Sequence, residues 1–263
     1  MEKNQKMNGK MPLADWRRHS LVPPTWEDTV RVVGIDESAA AGRSLAHSFA
    51  TDPMSRYVLD GDDMAGYSDE HKWKLHVDIM TYMVAAHVYK GVVTAIGPDY
   101  DAVALWLPPG KNMEDWLTTL RSGMWRLWYQ LSAEGRKRYF DEMIPVLNHT
   151  KEEVMADRDS ECYYLVYLGT KPNARGKGYA GKLIRDMIEK ADAEQRPVYL
   201  ESSNERTNAF YAKFGFEVKR DVDFKRGRDP IQLHIMVREP QAPKPAYSAA
   251  SVVLLSTMGG VKV

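Results

Sequence analysis

The chain has 263 residues, enough for one large domain or two small ones. Lys plus Arg and Asp plus Glu both number 36, so no global field draws in nucleic acid or an acidic membrane, and an apolar content of 44% is that of a globular protein. The single cysteine, Cys162, excludes an intrachain disulfide. The polar residues 1–10 do not read as a signal peptide, and no apolar run approaches the length of a membrane span, so the expectation is a soluble, cytoplasmic protein.

Residues 1–28 hold three prolines among scattered charges and read as a leader. Residues 29–35 predict a strand, and Asp36 is a candidate N-cap for a helix to about Ala50. Ser68 predicts the cap of a second helix running to Lys90 and closed by Gly91. Two short apolar runs, 92–97 and 102–107, flank Pro98-Asp99 and predict a hairpin. From about 111 to 158 the pattern turns helical. Met113, Trp116, Leu117, Leu120, Met124, Leu127, Trp128 and Leu131 recur at three-and-four spacing and predict one core-facing surface. A further helix carries Tyr139, Phe140, Met143 and Val146 inward, with a kink at Pro145. The sheet resumes with the apolar run 162–168. An amphipathic helix (179–193), a strand (198–202), a short helix (204–213) and strands at 216–221 and 231–237 follow. After Glu239 the composition becomes that of a flexible tail, residues 240–263. The organisation is therefore a leader, one domain over 29–239, and a tail.

The chemistry concentrates where the strand 162–168 runs into a basic loop and then a helix. Gly176, Gly178 and Gly181 match the spacing of a dinucleotide fingerprint, with Glu201 about twenty residues on. In that motif the first glycine ends the strand, whereas here Lys171 to Arg175 intervene and Pro172 stops the ladder early. Too little chain follows for a second nucleotide-binding half, so a nicotinamide-dependent oxidoreductase is the remote alternative. Successive N–H groups from Gly176 to Ala180 can instead converge on a diphosphate, with Arg175 or Lys177 adding charge.

Arg175, Gly178 and Ala180 stand at positions one, four and six of a run that resembles the Arg/Gln-x-x-Gly-x-Gly/Ala signature of the GCN5-related N-acetyltransferase (GNAT) family. Asn204, followed seven residues later by Tyr211 and then by Gly215-Phe216, resembles that family's next helix and its Tyr-x-x-x-Gly-Phe ending. This likeness covers about residues 160–238. Weaker likeness upstream, at Asp36, Asp52-Pro53 and 102–106, resembles the puromycin N-acetyltransferase type, which acetylates small amines such as antibiotics and other xenobiotics.

The resemblance implies an α/β (α+β) GNAT fold. Its features are a mixed central sheet with a splayed central strand pair, helices on both faces, and here a helical insertion (about 111–158) between strands 3 and 4. It implies acetyl-CoA as co-substrate. Leu168, Gly169 and Thr170 would offer main chain to the pantetheine arm, Arg175, Gly176, Lys177, Gly178, Tyr179 and Ala180 would hold the pyrophosphate, and Asn204 would bind the cofactor as well. Tyr211 is the candidate general acid and Glu201 the candidate base. Cys162 lies about 20 Å along the strand from the acetyl site, too far to attack, so transfer is expected to be direct, in a ternary complex.

A small-molecule primary amine is the expected acceptor. Trp125 and Tyr129 of the insertion, Tyr57 of the segment 53–67 with its acids Asp60, Asp62 and Asp63, and His234 of the last strand are candidate pocket residues. His234 also fits a satisfied core histidine. The alternatives are a non-catalytic acyl-CoA sensor and a protein or histone-like lysine acetyltransferase. The seven histidines show no metal-ligand spacing, and neither nucleic acid nor membrane is implied as a partner. Monomer and homodimer both remain open.

Overall fold

The computed structural model describes residues 23–113, 115–227 and 230–242. A seven-stranded sheet runs through them in the order β1-β2-β3-β4-β5-β7-β6. Its strands are β1 (Arg31–Val32), β2 (Val92–Ile96), β3 (Ala102–Leu107), β4 (Tyr163–Thr170), β5 (Val198–Ser202), β6 (Glu217–Phe224) and β7 (Ile231–Arg238). Every neighbouring pair is antiparallel except β4 with β5, which is parallel. The mixed sheet with helices on both faces matches the expected fold class.

On one face pack α1 (Ser38–Ser48), α2 (Pro53–Leu59), α3 (Asp69–Lys90) and the insertion, around Leu45, Val84, Leu105, Tyr199 and Ile235. The other face holds α8 (Tyr179–Ala193) and α9 (Glu205–Ala212) over Ala104, Leu165 and Leu200. The alternation of Tyr199 to one side and Leu200 to the other is the period of two that a strand imposes. Ser68 caps α3 as expected, its hydroxyl accepting from the His71 N–H, and Gly91 ends it. α1 crosses α3 so closely that a Cβ on Gly42 would lie 2.6 Å from the Thr81 Cα. Arg238 of β7, buried, makes two hydrogen bonds to Asp192 near the end of α8, at 2.6 and 2.8 Å.

Several expectations are corrected. The strand at 29–35 shrinks to β1, because Gly34 opens a 3-10 turn over Ile35–Glu37 that leads into α1. Within the segment 53–67, residues 53–59 form a helix: Asp52 caps α2, accepting from the Ser55 N–H, and Pro53 sits at its first turn. The insertion does not form one apolar face. Gly123, at φ +87, ends α4 (Trp116–Ser122), and α5 (Leu127–Gln130) is a single turn, so the helical period is broken. Trp116, Leu120 and Trp128 are exposed while Leu127 and Leu131 are buried. Beyond α6 (Ala133–Arg136), a π-helical stretch over Lys137–Met143 precedes α7 (Ile144–Met155) and lets Pro145 sit in that helix's first turn. The leader residues 1–22 and the tail from 243 onward lie outside the described residues. The end of the leader is docked: the Gly97 N–H donates to the Trp26 carbonyl, and Lys182 pairs with Asp28 at 2.6 Å.

Candidate active site

β4 and β5 pair only over Tyr163–Leu165 against Val198–Leu200, although both strands continue. On its other side β4 stays paired with β3 to its end, with a bulge after Leu165 that leaves Val166 unmatched. A bulge bends its strand, and this one turns β4 away from β5 where their ladder stops. The result is a wedge between two parallel strands. Within the apolar run 162–168, Val166, Tyr167 and Leu168 are accordingly only partly buried.

The parity of the ladder decides what β4 offers to the wedge. The Lys171 N–H donates to the Asp101 carbonyl beside β3. Alternate residues therefore turn their main chain to β3, and Leu168 and Thr170 turn theirs the other way, into the wedge. The Thr170 carbonyl accepts there from Arg175 Nε at 3.4 Å.

The loop after β4 makes one 3-10 turn over Pro172–Ala174 and then uses Gly176 (φ +82) and Gly178 (φ +77). Both conformations lie where side chains rarely go, and the space beside each glycine is open. Gly178 is the N-cap of α8 and supplies no capping side chain, so first-turn N–H groups of a fifteen-residue helix face outward with their partial positive charge. Arg175 contacts the carbonyls of Thr170 and Ser48. Lys171 is neutralised by Asp99 and Asp101, while Lys177 lies 4.0 Å from Asp101 and over the Tyr179 ring. An uncapped helix start, open glycines and an unpaired strand edge together fit an extended, diphosphate-bearing ligand.

A cavity of about 980 Å³ occupies the wedge and continues between α3, α2 and the insertion. Glu201 and Tyr211 both line it, on opposite sides of the sheet. Glu201 shares the α3 face with Tyr164, whose hydroxyl lies 2.9 and 2.8 Å from its two carboxylate oxygens. Burial pushes the Glu201 carboxyl up to about 7, against the pull of the tyrosine hydroxyls. Burial likewise raises the Tyr211 phenol, which stays protonated at neutral pH; its ring packs on Phe210 and Phe216.

Two residues that sequence reasoning missed complete this corner. Tyr164 stands across the parallel register from β5 and could have been found by pairing the strands. Lys151, which pairs with Asp159 at 2.5 Å and lies 5.9 Å from the Tyr164 ring centroid, comes from α7 with no local signal.

The remaining candidates divide. Trp125 and Tyr129 line the cavity, with ring centroids 6.2 Å apart, and both are exposed at its rim. Tyr57 does not line it: it is buried on the far side of α2, donating to Glu142 and packing under the Arg138 guanidinium. Asp60 is held by Lys72 and Arg56, and Asp63 accepts from Ser132 and the Glu134 N–H, so these acids serve the scaffold. His234 pairs with Asp221 at 2.7 Å and belongs to the strand positions opposite cavity-lining Leu233. Asn204 caps α9, its side chain accepting from the Thr207 N–H at 3.0 Å. Cys162 is buried outside the cavity with its thiol raised by burial, and its Sγ donates to the Asp159 carbonyl.

The sequence profile of the acetyltransferase (GNAT) family matches residues 139–216. An N-acetyltransferase of Schizosaccharomyces pombe, C550.08, is 39% identical over 220 residues, covering 84% of this chain and 86% of its own. With the fold and the splayed strands, this places the chain in the GNAT family; it is an N-acetyltransferase.

Solved structures agree in fold. A Corynebacterium glutamicum protein described as histone acetyltransferase HPA2 and related acetyltransferase superposes with a TM-score of 0.52 at 19% identity, over 82% of this chain and 98% of that one. Arylalkylamine N-acetyltransferase 2 of Aedes aegypti gives 0.54 at 15% identity, over 81% and 99%. Among the described residues no helix is long and apolar enough to cross a membrane, and no three His, Cys, Asp or Glu side chains cluster to hold a metal.

Proposed function

We propose that this chain moves an acetyl group from acetyl-CoA directly to the primary amine of a small molecule, within a ternary complex. The observation that carries the reading is the cavity of about 980 Å³ that is lined by Leu168, Glu201 and Tyr211 together. Acetyl-CoA supplies the acetyl group in activated form, as a thioester. Gly176 to Ala180 hold its diphosphate on the start of α8, Arg175 adds charge, and Leu168 and Thr170 receive its arm as β4 would receive another strand. The Leu168 N–H is the donor for the developing oxyanion.

Glu201, with a carboxyl near 7, takes the proton of the incoming ammonium or passes it to water, and Tyr164 fixes the carboxylate's orientation. Tyr211 holds the proton that the leaving sulfur requires. Cys162, buried and bonded to Asp159 outside the cavity, supports direct transfer over an acyl-enzyme.

One solved neighbour is described as a histone acetyltransferase and the other as an arylalkylamine acetyltransferase, so likeness of fold does not choose an acceptor. A small amine is favoured because residues of α2, α3 and the insertion converge on one cavity of about 980 Å³, the size of a ligand pocket. Thiol release from acetyl-CoA on adding an amine panel tests the reading. Turnover of one or more small amines is expected. Acetylation of a histone-like peptide without turnover of any small amine would overturn it, as would tight binding of NADH with none of coenzyme A.

A further inference from the structure

The last helix of the insertion brings to Glu201 a positive charge that neither β4 nor β5 carries. Lys151 of α7 lines the cavity, with its side chain only 17% exposed. Its Nζ donates to an Asp159 carboxylate oxygen at 2.5 Å and to the Asp159 main-chain carbonyl at 3.0 Å. Two bonds to one residue fix the ammonium in place. α7 stops at Ala156, which is held at φ +50, where alanine rarely goes. The 3-10 stretch Ala156–Glu161 then folds back and sets Asp159 beside a lysine eight residues earlier. The fixed ammonium lies 5.9 Å from the ring centroids of both Tyr164 and Tyr199, which meet edge to face at 5.3 Å. Tyr164 in turn donates to Glu201 at 2.8 Å.

The other ionisable groups around Glu201 are neutral, engaged or screened. Burial raises the phenols of Tyr139, Tyr164, Tyr167 and Tyr199 and the thiol of Cys162, so all keep their protons at neutral pH. Burial lowers His76 and His87 on α3, which leaves both rings uncharged there. Asp52 is bonded to the first turn of α2, and Lys111 and Glu152 are exposed, where water and salt shorten their reach. A charge held away from water acts more strongly on its neighbours, and Lys151 with Asp159 is such a pair. Burial pushes the Glu201 carboxyl up, and the Lys151 charge is among the influences that draw it back.

Resting on the reading of Glu201 as base, we propose that Lys151 is a positioning residue of the transfer reaction: its ammonium, held by Asp159 beside the Tyr164–Tyr199 pair, sets the pH at which Glu201 becomes a carboxylate able to accept a proton. Lys151 keeps its own proton throughout, and the one released by the incoming ammonium passes to Glu201. Asp159 is the counterweight, tethering the lysine and offsetting part of its charge.

Because the two partners carry opposite charges, their variants should act in opposite directions. The full chain is labelled with 13C at its glutamate carboxyls and titrated with acid and base, the Glu201 resonance being the one that Glu201→Gln lacks. Lys151→Met removes the cation and leaves Asp159 unbalanced, so the Glu201 midpoint should rise by about one pH unit, a tenfold loss of carboxylate below it. Asp159→Asn keeps the carbonyl that holds Nζ but removes the opposing anion, so the midpoint should fall. Lys151→Arg keeps the charge and should stay near wild type. The rising limb of kcat against pH, taken with saturating acetyl-CoA and the fastest amine of the panel, should move with these midpoints; a lysine that served packing alone would lower kcat equally at every pH. If Lys151→Met does not fold, Asp159→Asn decides by itself. Midpoints unmoved in both variants, or moved in the same direction, would overturn the proposal and leave the proposed function standing. A limb fully retained in Glu201→Gln would overturn the assignment of the base and this proposal with it.

Discussion

The proposed coenzyme end and the proposed acceptor end of this molecule are built on different terms. From Leu168 to Ala193 the chain is one continuous strand, turn and helix, and its parts take their geometry from nearest neighbours. Gly176 and Gly178 turn at positive φ because glycine alone does so freely, and α8 starts where the second turn finishes. The acceptor end draws on α2, α3, β5, α9 and the insertion, which lie between residues 53 and 212, and its shape is a sum of packing decisions. A short motif can specify a phosphate cradle, whereas a cavity wall has no local code.

The largest effect should fall where the two ends meet. Glu201→Gln is expected to lower kcat by about a hundredfold or more, the usual reach of a positioned base. The wild-type rate should rise with pH through about 7 as the carboxylate forms, and the variant should lose that limb. A pH profile of kcat/KM under both conditions decides it.

The same group ties stability to pH. Its folded value of about 7 lies above the ordinary 4.5, so the native state binds the proton more tightly. The stabilisation is complete below about 4.5 and is lost as pH rises through 7, amounting to at most about 3 kcal/mol. Chemical denaturation at pH 5 and pH 8 should show wild type losing more stability than Glu201→Gln. Equal losses would mean that the carboxyl titrates normally.

At the coenzyme end, Gly178→Val puts a branched side chain at φ +77 and should raise the KM for acetyl-CoA tenfold or more, with a smaller change for the amine. Trp125→Ala should do the reverse and more gently, raising the amine KM roughly three- to tenfold through lost aromatic contact. If both variants moved both constants alike, the two ends would not be separable.

Tyr57→Phe should be the mildest. It deletes the bond to Glu142 and should cost about 1–2 kcal/mol in denaturation, and its kinetic constants should stay near wild type because Tyr57 lies outside the cavity.

The boundaries of α3, α8 and β5 were legible because cap, period and length agree in each. The insertion was not, since its three-and-four spacing persists across Gly123, where the backbone breaks, and the pattern then reads exposed Trp116 and Trp128 as core. Tyr57 and His234 looked like pocket residues because aromatics and histidines suit pockets, but Glu142 and Asp221 claim them from elsewhere in the chain.

By itself the amino-acid order determined the strand, glycine loop and helix of the coenzyme end, along with the acid and base candidates placed one element downstream. Those features depend on backbone dihedrals and on residues a few positions apart. Only the tertiary structure decided that a bulge at Val166 opens the wedge and that Tyr164 orients Glu201. Each of these depends on which groups are desolvated together, and desolvation is a property of packing across the whole fold.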